Sequence, residues 1–540
     1  MVKRILKKFL LPITKIMTKK GTKTEAKYKQ VAFETAVRNP ERYLRILSVV
    51  KDYENRILDD SCLLEIVSNL YLVGEFTGEG IKVSETTTIK DIKDTVIKIN
   101  STRKADGGFP EGYASRFWTY MRTPSELGMV YARYNESFKI SEIVKMLIKG
   151  EIDEQEAFSI QAVRYNRKSP YRNVSNDFNF FRLTLSFLLS LREKNKKLSY
   201  EQFIILMFNR TGSIDETLKI ISEHKFKDEE QVFKFVNKYY SNTNKIDTVT
   251  KDYPDVTRRL MIISGFITIR YEGIKFIEIN ENKLDYIKEL LSIEFDLTDE
   301  EKYDAKKYFL KLNSNNEQYL NIVKKYRITD KINGNEYTNK IYNIISQYNI
   351  DEEKITKSIY DIGTKNSPVI PEFNEIPSPL KLEFYISILI ALKYKNEFVV
   401  RPNYKVDHIG KPYSHAPGNY GDIDVYSDRI YWLIEVTLIR NKTQLLNNET
   451  SNIIRHLNSN EEFKNYSDKY LSLIAPVIHE DTKEFFDVSL IKNQAEGKKI
   501  HIKPYNMKDF LDITLEKSNF SDMEDYSKKV FTEFKSKLSK

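Results

Sequence analysis

Two acidic residues in the last third of the chain occupy positions where a carboxylate is costly unless it has a partner. Glu435 interrupts an apolar run that begins at Tyr431, and Asp422 lies 13 residues before it. A strand with this pattern would turn Glu435 toward an apolar interior, where an unpaired charge is expensive to bury. Two carboxylates on neighbouring strands that share a divalent cation avoid that cost. The spacing therefore predicts a metal site built on Asp422 and Glu435.

The sequence leaves open which of two aspartates is the first metal ligand of this site. Every second side chain of a strand lies on the same face, so Asp424 competes with Asp422 for the ligand position. The carbonyl oxygen of Val436 is a plausible third ligand beside Glu435. The alternative is a strand end that exposes its acids to solvent and binds no metal.

Three further polar residues flank this segment. Glu383 is the one acid in an apolar helix predicted from Leu380 to Lys393, so it either reaches the surface or points into a metal site. Glu449 and His456 are seven residues apart, which is two helical turns, and would share one helix face. A glutamate there could orient water or bind a second cation, and a histidine can transfer protons near neutral pH. Solvated helix faces are the ordinary alternative.

These residue types suit the hydrolysis of a phosphodiester. The reaction needs an activated water, neutralisation of the phosphate charge and protonation of the leaving oxygen, and Mg²⁺ held by carboxylates supplies the first two. The sequence has no GxxxxGK[ST] loop, no GxSxG nucleophile turn and no HExxH helix. An ATP-driven motor, a serine hydrolase and a zinc hydrolase are therefore not supported.

The elements that would position these residues form an α/β domain at 371–540. After the helix at 380–393 the pattern predicts a helical run from Glu449 and strands at 397–401, 422–425, 431–439, 470–478 and 499–503. Such an order indicates an α/β fold with a mixed sheet. A charged helical linker at 296–370 precedes this domain, and the boundary is marked by the prolines Pro368, Pro371, Pro377 and Pro379.

Residues 1–295 form a mainly helical region with two patterns typical of winged-helix or helix-turn-helix modules. In the first, at 122–130, Pro124 suits the first turn of a helix and Gly128 allows close helix packing. In the second, a helix at 256–263 precedes two strands that meet at Glu272-Gly273, a hairpin signal.

Winged-helix modules often place a helix in the major groove of DNA, so this region is a candidate for DNA recognition. The alternative is a helical domain that carries one hairpin for packing. Basic residues in or beside the two patterns are candidate DNA contacts: Arg116, Arg122, Arg258 and Arg259.

Composition narrows the class of protein further. The 540 residues carry 86 Lys and Arg against 77 Asp and Glu, a net charge of +9 that permits a polyanionic partner. The single cysteine, Cys62, excludes an internal disulfide framework and fits a reducing cytoplasm. The sequence has no apolar run of about 18 residues, the length that a membrane span needs.

Together these residues resemble a known family. The segment 416–423, Glu435-Val436-Thr437 and the residues from Gln444 to Leu457 are similar to the AlwI group of type IIS restriction endonucleases and their nicking relatives. The resemblance implies a multidomain chain with a winged-helix recognition region and a C-terminal PD-(D/E)XK nuclease domain. It also implies Asp422 as the first strand ligand, and the catalytic set Glu383, Asp422, Glu435, Glu449 and His456.

The sequence departs from the superfamily pattern at two positions. Gly421 stands where a proline would begin the motif, and Thr437 occupies the usual lysine position. Thr437 removes a cation that would polarise the attacking water, so Glu449 or His456 would have to compensate. The predicted metal ligands are therefore Asp422, Glu435 and the carbonyl oxygen of Val436.

The resemblance predicts a Mg²⁺-dependent type II enzyme of a restriction-modification system that binds a short duplex DNA sequence and cuts at a fixed distance outside it. One active site per chain would cut one strand at a time. Double-strand cleavage would then need a transient homodimer, a small second subunit or a second pass by the same enzyme, and without these the protein would nick. The alternatives are a strand-specific nicking enzyme, the large subunit of a heterodimeric enzyme, and a DNA-binding regulator without catalysis.

Overall fold

The chain divides into two compact units. A computed structural model describes residues 27–538, except 79, 85, 103–111, 328–332, 365, 367–369, 417–419, 443–444 and 460. The second unit comprises Ile152–Gln155, Asn280–Tyr286 and the described residues from Asn321 onward, and the first unit comprises the rest. Within these described ranges no helix has the length and apolar character that crossing a membrane requires.

Helices dominate the chain up to Arg327, with short strands between them. In chain order the helices and strands are α1 (Arg42–Val50), α2 (Asp60–Leu72), α3 (Ile89–Thr102), α4 (Ala114–Glu126), β1 (Val130–Tyr131), β2 (Lys139–Ile140), α5 (Glu142–Ile148), α6 (Glu154–Ala162), α7 (Phe180–Glu193), β3 (Leu198–Ser199), α8 (Tyr200–Leu206), α9 (Ile214–Glu223), α10 (Glu229–Tyr240), α11 (Tyr253–Ile263), β4 (Ile267–Glu272), β5 (Ile274–Ile279), α12 (Leu284–Ser292), α13 (Asp299–Tyr303), α14 (Ala305–Leu312) and α15 (Asn316–Arg327).

Two parts of the first unit repeat one topology. In the later part, α7, β3, α8 and α11 precede the β4–β5 hairpin, and β3 pairs with β5, which gives the strand order β3-β5-β4. In the earlier part, α1, a bridge at Ile57, α2 and α4 precede the β1–β2 hairpin. Ile57 pairs antiparallel with Ser137 just before β2, so the same strand of the hairpin is extended. The two parts differ in the helices inserted before α4 and α11.

The structure tests the two patterns predicted for this region. The helix at 256–263 and the hairpin are confirmed, and Gly273 turns the chain with a positive φ of 77°. The prediction for Pro124 is wrong: it lies in the last turn of α4, because the helix begins at Ala114. Gly128 does permit a close approach, since a Cβ there would meet the side chain of Leu312.

The second unit is an α/β unit. Its helices and strands after α15 are α16 (Gly334–Gln347), α17 (Glu352–Gly363), α18 (Ser378–Lys393), β6 (Val399–Pro402), β7 (Lys405–Val406), β8 (Pro412–Ser414), β9 (Ile423–Tyr426), β10 (Ile430–Val436), α19 (Ser451–Ser459), β11 (Asp468–Ala475), α20 (Glu480–Ala495), β12 (Ile500–Asn506), α21 (Met507–Leu515) and α22 (Asn519–Leu538).

Five strands of this unit form the mixed sheet that the sequence predicts, in the order β12-β11-β10-β9-β6. Strand β10 runs antiparallel to β9 and parallel to β11, and β11 runs parallel to β12. Strand β10 ends at Val436 rather than at 439. Beyond its end, Leu438 and Ile439 pack against the two different hydrophobic cores.

The apolar run in β10 is continuous because both faces of the sheet are covered. Trp432 and Ile434 belong to the core formed with α16, α17 and α18. Tyr431 and Leu433 belong to the opposite core, with side chains from α19 and α20. The alternation places Glu435 on the face of Leu433, toward α19.

Candidate active site

Asp422 and Glu435 are brought together by the pairing of β9 with β10. Ile423 pairs with Ile434, and continuing this antiparallel register places Asp422 opposite Glu435. Residues directly opposite in such a pair point to the same face of the sheet. Glu435 is only 5 % exposed, whereas Asp422 is partly exposed. The two carboxylates thus lie at the end of the β9–β10 ladder, one buried and one open to solvent.

Val436 contributes its backbone to the same place. Its N–H donates to Oδ2 of Asp422 at 2.7 Å, while the N–H of Thr437 donates to the carbonyl of Ile474 on β11 at 2.9 Å. The N–H and C=O of one residue in an extended strand point to the same edge. The Val436 carbonyl is therefore directed toward the side on which Asp422 lies.

These groups form an all-oxygen donor set, which is the set that Mg²⁺ and Ca²⁺ prefer. Two carboxylates and one carbonyl leave further coordination positions for water and substrate. Among the residues that the structure describes, no group of three or more Asp, Glu, His or Cys side chains is arranged to hold a metal ion. The residues present fit a hard divalent cation with an open coordination sphere.

Gly421 is required by the geometry of this site. A Cβ at this position would lie 2.7 Å from Oε1 of Glu435 and would also overlap the side chain of Leu433. A side chain at position 421 would therefore force the Glu435 carboxylate and the Leu433 side chain to shift. This close contact is the reason that a glycine suits position 421.

Asp424 lies in a different environment from Asp422. It is 1 % exposed and accepts hydrogen bonds from the Tyr431 hydroxyl at 2.7 Å, Arg401 Nη2 at 3.0 Å and Asn403 Nδ2 at 3.0 Å. Burial lowers the pKa of Arg401, but hydrogen bonds to Glu462 and the charge of Asp424 outweigh burial and raise it. Asp424 is therefore committed to a buried ion pair.

His456 reaches Glu435 from α19. Its Nδ1 lies 2.9 Å from Oε1 of Glu435, and the imidazole is nearly buried. A carboxylate on one ring nitrogen fixes the orientation of a histidine. The side chain of Glu449 lies outside the described residues. Its backbone belongs to a π-helical turn, Leu445–Thr450, and the regular helix begins only at Ser451. The predicted helical run at Glu449 is therefore confirmed, but it begins earlier, at Leu445, and its first turn is π-helical.

Glu383 forms a second glutamate–histidine pair. It is buried in α18, and its Oε1 lies 2.9 Å from Nδ1 of His415. Its other oxygen, Oε2, is buried and has no hydrogen-bond partner among the described residues. A buried carboxylate oxygen without a donor is costly, which favours a role beyond packing.

Sequence reasoning did not identify three polar residues around these acids: Arg401, Asn403 and His415. Each contacts an acid that is 21 to 32 residues away in the chain. The one local signal was the polar Arg401 beside the apolar Val399 and Val400 in a predicted strand.

The four candidate DNA contacts differ in accessibility. The guanidinium of Arg116 packs on aromatic rings, with Phe76 at 5.0 Å, and donates to the Tyr71 hydroxyl. Arg258 is buried and Arg259 is nearly so, and both donate to Asp255. The side chain of Arg122 is 43 % exposed and pairs with Glu34.

Known proteins share sequence with the part of the chain that carries these paired acids. The family model described as AlwI restriction endonuclease matches residues 125–366 and 311–513. The chain belongs to this family, so it is a DNA-binding, site-specific deoxyribonuclease. Restriction endonucleases generally use a divalent metal. No curated protein matches the chain.

Three solved structures have low sequence identity to parts of this chain. The small subunit of the heterodimeric restriction endonuclease R.BspD6I is 18% identical over 33% of this chain and 87% of its own, with a TM-score of 0.25. The BpuJ1 endonuclease binding domain, in complex with modified DNA, is 14% identical over 54% and 98%, with a TM-score of 0.32. The restriction endonuclease FokI is 12% identical over 90% and 97%, with a TM-score of 0.23.

Proposed function

We propose that this restriction endonuclease is a Mg²⁺-dependent type IIS enzyme that binds a short duplex sequence and cuts at a fixed distance outside it. The observation that supports this most strongly is the pairing of Asp422 with Glu435 across β9 and β10, with the Val436 backbone between them. The mixed sheet and the helix carrying Glu383 suit a PD-(D/E)XK nuclease domain at 371–540.

In this proposal Asp422, Glu435 and the Val436 carbonyl hold Mg²⁺. When bound, the metal lowers the pKa of a water and neutralises charge on the scissile phosphate. Asp422 is the ligand rather than Asp424, because three donors already occupy the Asp424 carboxylate. Asp424 instead holds β6 against β9 through Arg401.

His456 takes the place of the lysine that Thr437 replaces. Glu435 fixes its Nδ1, so Nε2 points away from Glu435 on the opposite side of the ring. From there it can hold a proton for the attacking water or the leaving oxygen. Glu449 and Glu383 complete the proposed catalytic set, with Glu383 oriented by His415.

DNA recognition is assigned to residues 1–295. The two repeated parts have the order of a winged helix: helix, strand, helix, helix and hairpin, with the first strand paired to the last. We propose that both are winged-helix modules. Fixed-distance cutting then follows because recognition and cleavage are assigned to different parts of one chain.

A nicking enzyme, or the large subunit of a heterodimeric one, is the second candidate. One Asp422–Glu435 pair per chain hydrolyses one strand in each event, so double-strand cleavage needs a homodimer, a small second subunit or a second pass by the same enzyme.

Digestion of supercoiled plasmid with Mg²⁺ at rising protein concentration, followed by sequencing of the ends, tests the proposal. A type IIS enzyme gives linear product with ends at one fixed offset from a common sequence. Nicked circles that never become linear indicate the second candidate. DNA that stays intact while the protein binds it specifically indicates a regulator without catalysis, and ends that share no sequence contradict both enzyme proposals.

A further inference from the structure

Helix α4 exposes one stripe of side chains with polar groups to solvent. Ser115, Trp118 and Thr119 are partly exposed and Arg122 is exposed, whereas Phe117 and Met121 are buried. Their positions follow the spacing i, i+3, i+4, i+7, so they form a single stripe along the helix. In the repeated topology α4 directly precedes the hairpin, which is the position of the helix that enters the major groove in winged-helix proteins.

The chemistry of this stripe suits the edges of base pairs. It offers two hydroxyls, an indole N–H and a guanidinium, which are groups that bind base edges by hydrogen bonds. The Thr119 hydroxyl donates to the Ser115 carbonyl at 3.0 Å and keeps its lone pairs as acceptors. It carries no carboxylate, because the one acid of α4, Glu126, is buried and paired with Arg172. A stripe with one cation and no anion is complementary to a polyanionic duplex.

Arg122 can exchange its partner for DNA. Its contact with Glu34, at 2.7 Å, is an exposed ion pair, and such pairs add little to stability. A guanine edge or a phosphate can therefore replace Glu34 at small cost. The dimensions agree as well: a helix with side chains is about 10–12 Å across, and the major groove is about 12 Å wide.

In α11, the corresponding helix of the later part, an arginine is already bound within the protein. The side chain of Arg259 is only 16 % exposed; it is bound to Asp255 and donates to Asn39 Oδ1 at 3.0 Å. Arg38 pairs with Asp252 just before the helix. The Arg259 contacts keep the guanidinium of this helix bound within the protein, and Asp255 adds a carboxylate beside it.

We propose that the stripe of α4 reads the base sequence of duplex DNA in the major groove, and that α11 has a structural role. This rests on the proposed function, because it assigns the recognition step of that enzyme to one of the two modules. It names Trp118, Thr119 and Arg122 as the residues that set sequence specificity.

Selection of duplexes bound from a random pool, without divalent metal, tests the assignment independently of cleavage. The full-length protein is compared with Thr119→Val and Arg122→Gln. Arg38→Gln is the matched control, since Arg38 is also an exposed arginine paired with one carboxylate. We expect the two α4 variants to lose preference at one or two base pairs. The ratio of specific to non-specific affinity should fall about 10- to 100-fold.

The control should keep the selected sequence. The assignment is overturned if both α4 variants select the sequence of the unmodified protein, if Arg38→Gln changes it equally, or if the unmodified protein selects no sequence. A selected sequence together with intact plasmid DNA would instead refute the proposed cleavage and leave the α4 assignment standing.

Discussion

Asn403 is predicted to hold the turn that carries Asp422. Its backbone N–H donates to the Asp422 carbonyl at 2.9 Å, and its Nδ2 donates to the Gly421 carbonyl at 2.9 Å and to Asp424 at 3.0 Å. Asn403→Ala removes only the two side-chain bonds. Asp424 keeps its bonds to Arg401 and Tyr431, so the buried ion pair survives.

The size of the effect follows from these bonds. A neutral hydrogen bond contributes about 1 kcal/mol and one to a charged group about 1.5–3 kcal/mol, so Asn403→Ala should lower the free energy of unfolding by about 2–4 kcal/mol. Loosening the turn displaces the Asp422 carboxylate, and a misplacement of about 1 Å can cost about 100-fold in rate. We expect kcat to fall about 10- to 100-fold, and more Mg²⁺ to be needed for half-maximal cleavage.

Asn519→Ala is the matched control for Asn403→Ala. Asn519 is fully buried, donates to Thr514 Oγ1 at 3.0 Å and accepts from the Tyr394 hydroxyl at 2.7 Å, both outside the proposed active site. Thermal unfolding and cleavage at several Mg²⁺ concentrations are measured for both variants, well below their melting temperatures. Equal kcat and Mg²⁺ dependence in Asn403→Ala and the unmodified enzyme would refute the positioning role. Equal losses of kcat in both variants would show that Asn403 acts only through the stability of the fold.

Three further predictions concern the second unit. Gly421→Ala should reduce cleavage about 100-fold or more with DNA binding kept, because the new Cβ would press on the Glu435 carboxylate; normal cleavage rates would contradict the close approach. Arg401→Met should lower the free energy of unfolding in urea by about 3–5 kcal/mol, because it leaves Asp424 charged and buried without its partner. Adding Asp424→Asn should recover much of that loss. If the losses of the two substitutions simply add, the ion pair is contradicted. Burial lowers the pKa of His501, so the unfolded chain binds more protons below its ordinary value of 6.5. The temperature midpoint of unfolding should therefore fall as pH drops from 6.5 toward the lowered pKa, and it should fall less steeply in His501→Asn. Identical pH profiles of the midpoint in the two proteins would contradict this.

The sequence predicts the elements that have strong local signals. Glu272-Gly273 specifies the β4–β5 hairpin, and the apolar run around Trp432 specifies a strand buried on both faces. Family resemblance, rather than periodicity, favoured Asp422 over Asp424. The geometric distinction between them comes from Arg401 and Asn403, which lie more than 18 residues before either aspartate.

The features that sequence reasoning missed depend on long-range contacts. Strands β1, β2 and β3 have two residues each, too few to produce an alternating pattern. The repeated topology of the first unit is hidden for the same reason, and because different helices are inserted before α4 and α11. The pairing of Glu383 with His415 depends on the chain between α18 and β8 and has no local motif.

Cleavage by Asp422→Ala and Glu435→Ala, measured beside specific DNA binding, tests the central claim most directly. Asp428→Asn is the matched control, since this exposed aspartate lies in the β9–β10 turn away from Glu435. Loss of a metal ligand removes several kcal/mol of transition-state stabilisation, so cleavage should fall about 1,000-fold or more, with binding nearly unchanged. The control should cut normally. Cleavage that survives both alanine substitutions would contradict a metal centre at the end of β9 and β10.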